Sequence, residues 1–165
     1  MKILVLSDSH AGLSFMRRCI DAVRPDRVIH LGDYYDDGLT MAEEYPEIPM
    51  LLMPGNCDKY RCPPGTTEIR TEQIGGVDFY MTHGHRSNVK LYLGKLLADA
   101  RACRADIALF GHTHEAYLEK EEDGLGVRNP GTSGSWSGSA GLIEIRDKAI
   151  TACRILRQSD LEGMV

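Results

Sequence analysis

Five apolar, strand-like runs of the 165-residue sequence are each followed by side chains of the types that bind metal ions. These residues are Asp8, His10, Asp33, Asn56, His83, His112 and His114. Each of them alone is a weak indication, because a polar residue after a strand is more often a turn former than a ligand. Together they supply two carboxylates, four imidazoles and one amide oxygen. That set is large enough to hold two metal ions.

The donor types indicate which metal ions fit. Imidazole, carboxylate and amide oxygen without a thiolate suit a borderline divalent ion, with Mn²⁺ first and Fe²⁺, Co²⁺, Ni²⁺ and Zn²⁺ as alternatives, and disfavour Ca²⁺ and Mg²⁺, which prefer oxygen ligands. Seven ligands exceed what one tetrahedral zinc site uses. We therefore expect two divalent ions per chain that share a bridging carboxylate and a bridging water.

The elements that position these residues begin as a βαβαβ unit. The apolar runs at 2–6, 27–31 and 49–53 predict strands, a helical face that includes Phe15 and Val23 ends before Pro25, and 40–45 predicts a short helix. This order implies a parallel sheet covered by helices. Since ligands of open α/β sheets bind outside the carboxyl ends of the strands, all the candidate residues are expected at one edge.

The second half of the chain changes pattern. Segments 67–74 and 77–81 flank Gly75-Gly76 and predict a β-hairpin. Segment 88–104 has helical spacing and 107–110 is a short apolar strand, whereas 115–120, 126–128, 141–146 and 149–155 predict short strands. We predict an α/β fold, parallel early and antiparallel late, with two mixed β-sheets packed face to face and flanked by helices.

Size and composition favour one domain over residues 1–165. No apolar run is long enough for a membrane span or a secretory signal, and five scattered cysteines favour reduced thiols, so we expect a cytoplasmic protein. A net charge of −5 without a basic stripe argues against long nucleic acid as the partner and leaves a small anionic substrate. A homodimer or higher homo-oligomer is left open by the sequence.

Five short motifs in order carry a family resemblance. They are Asp8-x-His10, Gly32-Asp33, Gly55-Asn56-Cys57-Asp58, Thr82-His83-Gly84-His85 and Gly111-His112-Thr113-His114. The series resembles the calcineurin-like metallophosphoesterase superfamily and, within it, the small YfcE-type phosphodiesterases. The resemblance implies a four-layer α/β/β/α sandwich. It also implies that Asp8, His10 and His114 bind one ion, that Asn56, His83 and His112 bind the other, and that Asp33 bridges them.

The implied activity is hydrolysis of a small phosphodiester. The resemblance makes Asp8, His10, Asp33, Asn56 and His83 the catalytic set. Two divalent ions, two carboxylates and a bridging hydroxide give a centre of about +1, which matches a phosphodiester monoanion. We expect direct in-line attack by the hydroxide on phosphorus. The alternative is a non-catalytic protein-interaction scaffold of the Vps29 type on the same fold.

Four further residues are candidates for substrate contact: Cys57, Asp58, His85 and Arg86. Many relatives have His at the position of Cys57, and a thiol is a poor general acid for an alkoxide, so leaving groups of low pKa should be favoured. His85 fits a phosphate contact and a supporting role equally, and Arg86 fits a solvated residue better than a phosphate contact. His30, inside a strand, is expected in the core or behind the ligands. Trp136 is either a packing anchor or an exposed contact.

Overall fold

Strands and helices follow one another in nearly the predicted order in the computed structural model, which describes residues 1–134 and 137–164. The strands are β1 (Lys2–Leu6), β2 (Arg27–His30), β3 (Met50–Leu52), β4 (Ile69–Ile74), β5 (Val77–Thr82), β6 (Ile107–Leu109), β7 (Ala116–Lys120), β8 (Gly126–Pro130), β9 (Ser139–Arg146) and β10 (Ala149–Arg157). The helices are α1 (Leu13–Val23), α2 (Tyr35–Glu44), α3 (Gly94–Ala102) and α4 (Gln158–Glu162). None of these helices is long and apolar enough to cross a membrane.

The strands form two five-stranded sheets. The first has the order β10-β9-β1-β2-β3 and the second β4-β5-β6-β8-β7. In the first sheet β1, β2 and β3 are parallel, while β9 and β10 are antiparallel. In the second, β5, β6 and β8 are parallel and the edge strands β4 and β7 are antiparallel. Each sheet is therefore mixed, with three parallel strands of its own.

Alternation along the strands builds three apolar layers. Ile3 and Val5 of β1 lie in the core between the sheets with residues such as Phe79 of β5, whereas Leu4 and Leu6 pack against the helices on the other face. Helices α1 and α4 pack on the first sheet and α3 on the second. The predicted α/β fold of two face-to-face mixed sheets flanked by helices is confirmed.

Four details of the prediction are wrong. Helix α2 begins at Tyr35, not at residue 40, because the Asp58 carboxylate accepts the Tyr35 amide hydrogen at 2.8 Å and anchors the first turn. Helix α3 begins at Gly94, not at residue 88, because Asn88 has a positive φ after a 3₁₀ turn over His85–Ser87. Helix α4 was not predicted. The late part is not purely antiparallel, because β8 pairs with β6 in parallel.

Backbone hydrogen bonds continue past the ends of the parallel strands. The Asp8 amide donates to the Gly32 carbonyl at 2.9 Å, and the Gly111 amide donates to the His83 carbonyl at 2.9 Å. The Ser133 amide donates to the Ser7 carbonyl at 2.9 Å. The loops that leave the carboxyl ends of the strands are thus joined to one another, and they carry the candidate ligands.

Candidate metal centre

The structure brings the seven predicted ligands into two adjoining groups. Potential ligand atoms of Asp8, His10, Asp33 and His114 all lie within 4.8 Å of one another, and so do those of Asp33, His83 and His112. Oδ1 of Asn56 lies 3.2 Å from Nε2 of His83. We call Asp8, His10 and His114 the His114 group, and Asn56, His83 and His112 the His83 group. Asp33 belongs to both.

Sharp backbone turns place these side chains in the site. Five candidate ligands have left-handed backbone conformations: Asp8 (φ 52°), His10 (φ 43°), Asp33 (φ 60°), His112 (φ 68°) and His114 (φ 62°). Asp and His tolerate this region better than most residues, yet each instance costs about 1–3 kcal/mol. Such strain persists only where the surroundings hold the backbone, and it concentrates at functional sites. The repeated conformation therefore points to a built site.

The glycines of the motifs allow neighbouring loops to touch. Gly32 has φ 109°, and a Cβ atom there would lie 2.5 Å from the Gly55 nitrogen. A Cβ atom at Gly55 would overlap Asp33. The Asp33 and Asn56 loops therefore meet backbone to backbone, as the sequence predicts for glycines beside a crowded pair of metal ions.

The Asp8 carboxylate has one oxygen held and one oxygen without a hydrogen bond. Oδ2 accepts from the Ser7 hydroxyl at 2.5 Å and from the His112 amide at 3.0 Å. Oδ1 is buried and has no hydrogen-bond partner. It lies 3.2 Å from Nε2 of His114 and 3.8 Å from Nε2 of His83. A buried carboxylate oxygen without a partner is costly unless another group binds it, and a metal ion fits that role.

Asp33 repeats this arrangement. Its Oδ1 accepts the Cys57 amide hydrogen at 2.9 Å. Its Oδ2 lies 3.5 Å from Nε2 of His83 and 3.9 Å from Nε2 of His10. Burial raises the pKa of Asp33, but His83 and the Cys57 amide outweigh it and hold that pKa below its usual range. Asp33 is therefore ionised and presents one oxygen to histidines of both groups.

The pKa values of the two histidines of the His83 group are shifted in opposite directions. Nδ1 of His83 lies 2.9 Å from the Leu31 carbonyl, so it carries the hydrogen and leaves Nε2 free as a ligand. Burial lowers the pKa of His83, but Asp33 and Asp8 outweigh burial and raise it. Burial, then His83 and Lys90, lower the pKa of His112 to about 4. The donor set of carboxylates and imidazoles that face one space fits divalent metal ions.

Asp58, which the sequence predicts as a substrate contact, lies behind the loops and positions them. It is fully buried, and its oxygens accept the amide hydrogens of Asp33 at 2.9 Å, Tyr35 at 2.8 Å and Gly55 at 2.7 Å. With both oxygens engaged in the interior, Asp58 has no surface left for a substrate. It fixes the backbone on both sides of the site.

A second carboxylate holds the loop after β1, and the sequence did not reveal it. Oδ2 of Asp37 accepts from the Ala11 amide at 2.8 Å and from the Ser9 hydroxyl at 2.7 Å. Ser9 also lies 3.0 Å from Nε2 of His30, which is buried behind the ligands as predicted. The only sequence signal for Asp37 is an acidic residue in the first turn of α2, which is common without such a role.

Asn129 holds the loop after β6. Its side-chain amide donates to the Gly111 carbonyl at 3.0 Å and to the Thr113 hydroxyl at 3.0 Å. Thr132, from the same Asn-Pro-Gly-Thr segment, donates to the Asp8 carbonyl at 2.7 Å. This segment therefore ties the loop of His112 and His114 to the loop of Asp8.

The remaining substrate-contact candidates lie around the rim. Cys57 is exposed, and the Asn56 amide nitrogen lies 3.5 Å from its sulfur. The ring of His85 lies 5.5 Å from that of His83 and 6.2 Å from that of His112, and its buried Nδ1 has no hydrogen-bond partner. Arg86 is 68% exposed and pairs with Glu68. Trp136 lies outside the described residues.

Comparisons with known proteins identify the family of the chain. The model of the calcineurin-like phosphoesterase superfamily domain matches residues 1–148. A Mycoplasma pneumoniae protein described as "Probable metallophosphoesterase" is 31% identical over 134 residues, which cover 79% of this chain and 78% of that protein. Phosphodiesterase MJ0936 of Methanocaldococcus jannaschii is 30% identical over 145 residues, which cover 79% of this chain and 83% of that protein.

The fold also matches a solved structure of the Zn²⁺ complex of Vps29 from Entamoeba histolytica. The TM-score is 0.73 at 21% identity, with 95% of this chain and 98% of that chain covered. At this identity the likeness concerns the fold alone. The family match spans most of the sequence, and both groups of candidate metal-ligand residues lie within the matched range. The chain belongs to the calcineurin-like phosphoesterase superfamily, a family of metal-dependent hydrolases of phosphoric esters.

Proposed function

We propose that this protein is a metal-dependent phosphodiesterase with a dinuclear centre. The His114 group holds one divalent ion, the His83 group holds the other, and Asp33 bridges them. One observation carries the proposal: each of the two carboxylates has one oxygen fixed by hydrogen bonds and directs the other toward histidine Nε2 atoms. This arrangement orients ligand atoms in advance of metal binding.

The charge of the site suits a diester anion. Two divalent ions outweigh the charges of Asp8 and Asp33, so the centre is positive although the protein carries −5. When bound, such ions lower the pKa of water, orient it for in-line attack and stabilise charge on the phosphoryl oxygens. The acidic balance of the whole chain argues for a small diester over long nucleic acid.

Attack by water agrees with the state of Cys57, the exposed thiol beside Asn56. Burial, and then the negative charge of Asp33, raise the pKa of the Cys57 thiol. In the metal-free protein this protonated thiol is a weak nucleophile, whereas the bound ions would supply an activated water. We infer direct hydrolysis in one displacement.

The donors favour Mn²⁺, with Fe²⁺, Co²⁺, Ni²⁺ and Zn²⁺ as alternatives, because imidazole and oxygen ligands without thiolate suit these ions. The five cysteines form no disulfide, which agrees with a reducing compartment, and we propose the cytoplasm. We further propose that residues 1–165 work as one domain.

A scaffold function is the second candidate, because the fold matches Vps29 structures. The two candidates differ in what they require of the site. A scaffold needs no complete ligand set, whereas a phosphodiesterase needs every member of it. All seven positions retain side chains able to bind a metal, which favours the enzyme.

Hydrolysis of bis-p-nitrophenyl phosphate decides between them. The protein is stripped with a chelator, reloaded separately with Mn²⁺, Co²⁺, Ni²⁺ or Zn²⁺, and analysed for metal content before assay. We expect no turnover without metal, turnover after reloading, and two ions per chain. Folded protein that binds two ions yet hydrolyses neither this ester nor a panel of cyclic nucleotides, dinucleotides and phospholipid-derived diesters would favour the scaffold.

A further inference from the structure

An aromatic ring lies beside the His114 group, and a guanidinium group packs on that ring. The ring of Tyr34 meets that of His10 edge-on, with centroids 5.0 Å apart. Cζ of Arg61 lies 4.7 Å from the centroid of the same Tyr34 ring. The Arg61 charge therefore lies within about 10 Å of the His10 ring, at the border of the candidate centre.

Arg61 is held in place from three sides. Its guanidinium packs on Tyr34, its NH1 donates to Asp36 at 3.2 Å, and its backbone amide donates to the Asp58 carbonyl at 2.8 Å. Asp58 is the buried residue that anchors the Asp33 loop. The two side-chain contacts and the backbone hydrogen bond together define where the guanidinium lies.

Tyr34 has an unfavourable backbone conformation at this position. It follows Asp33 directly and has φ 69°, a region that bulky residues avoid. This conformation places the ring between His10 and Arg61. Backbone strain of this kind collects where ligands bind.

Most of the Arg61 donors are available to a ligand. The side chain is 44% exposed, and Asp36 is its sole hydrogen-bonded side-chain partner among residues 1–134 and 137–164. A guanidinium carries five N–H donors in a planar fork that matches phosphate oxygens in a bidentate manner. The occupied NH1 group leaves the remaining donors for an anion.

We propose that Arg61, held by Tyr34 and Asp36, forms a subsite for a second phosphate group of the substrate. The inference rests on the proposed phosphodiesterase function and specifies its substrate class: a phosphodiester that carries a further phosphate on the side of His10. The diester lies at the metal centre and the further phosphate meets the free donors of Arg61. Tyr34 keeps the guanidinium from turning away.

The test compares adenosine 5′-monophosphate with adenosine 3′,5′-bisphosphate by titration calorimetry on Mn²⁺-loaded protein. The wild type is expected to bind the bisphosphate about tenfold more tightly, as one charge-assisted hydrogen-bonding contact provides. In Arg61→Ala the ratio falls to near one. Lys59→Ala is the matched control, because it removes the same charge from the same loop but its Nζ lies over Tyr60, 5.3 Å from the ring centroid.

Each outcome either supports or overturns the subsite. A retained tenfold ratio in Lys59→Ala together with its loss in Arg61→Ala supports the subsite. No preference in the wild type, an unchanged ratio in Arg61→Ala, or equal loss in both variants overturns it. Hydrolysis of bis-p-nitrophenyl phosphate by the wild type is measured separately. If the protein prefers the bisphosphate but hydrolyses no diester, the proposed function fails and the subsite stands. If it hydrolyses the diester but shows no preference, the subsite fails and the proposed function stands.

Discussion

His83 is held differently from the two imidazoles of the His114 group. His83 is fully buried, and its Nδ1 bonds to the Leu31 carbonyl at 2.9 Å. The side chains of His10 and His114 are 33% and 45% exposed. In the described part of the chain, the one hydrogen-bond contact of these two rings is with each other, Nε2 to Nε2, at 3.3 Å.

This difference concerns when each group becomes ordered. The Leu31 carbonyl orients His83 before a metal ion arrives, whereas we expect His10 and His114 to gain more of their order from the ion that they bind. Ordering two half-exposed side chains on binding costs conformational entropy and lowers affinity. We therefore expect the ion at the His83 group to bind more tightly and the ion at the His114 group to leave first under a chelator.

Substitution of Asp33, which the two groups share, is expected to have the largest effect. Asp33→Asn retains an acceptor for the Cys57 amide but places a neutral group between the histidines. We expect loss of metal from both groups and a fall in kcat of about a thousandfold, or about 4 kcal/mol in transition-state stabilisation. Metal analysis and diester hydrolysis measure this. A variant that keeps two ions and near-normal activity would show that Asp33 is not shared.

His83→Ala and His114→Ala test the comparison directly. His83→Ala leaves the Leu31 carbonyl without its partner and should destabilise the metal-free protein by about 1–3 kcal/mol. His114→Ala changes an exposed residue and should alter that stability by less than about 0.5 kcal/mol. Both variants should lose one ion. Urea unfolding of stripped protein is the measurement, and equal destabilisation would remove the distinction between the groups.

Asp58 and Asp37, the two buried carboxylates behind the ligands, allow a test of how the loops support metal binding. Both oxygens of Asp58 accept backbone hydrogens, so Asp58→Asn must turn an amide toward a donor. Asp37 uses only Oδ2, and an asparagine can present its oxygen there. We expect Asp58→Asn to weaken metal binding about 10–100-fold and Asp37→Asn to weaken it less. Competition with a fluorescent chelator compares them, and the reverse order would contradict the assignment of Asp58 as the main anchor.

Local sequence pattern was sufficient for much of the fold. Asp8, Asp33 and His83 each follow an apolar run, and parallel strands place such positions at one edge. The pairing of β9 with β1, by contrast, joins residues more than 130 positions apart, and alternation alone does not specify that neighbour. The sequence therefore predicted two sheets but not how the late strands divide between them.

Local pattern likewise predicts the metal ligands but not the residues that hold their loops in place. A metal ligand is recognised by its side-chain type at a strand end. Asp37 and Asp58 act through backbone amides of distant segments, and their types alone do not reveal this. The start of α2 at Tyr35 was missed for the same reason, since its anchor lies 23 residues later in sequence.

The smallest expected effect concerns Cys57, at the exposed side of the His83 group. A thiol has a higher ordinary pKa than an imidazolium, so this side chain is a poor proton donor to a departing alkoxide. Cys57→His should speed hydrolysis of alkyl esters by about tenfold, because an imidazolium is the stronger acid, and change nitrophenyl esters much less. Cys57→Ser is the matched control, since it has no such acid. The ratio of alkyl to nitrophenyl rates is the measurement. If the rates for both esters changed equally, residue 57 would not supply the proton to the leaving group. The exposed side of the His83 group would then contribute only to substrate binding.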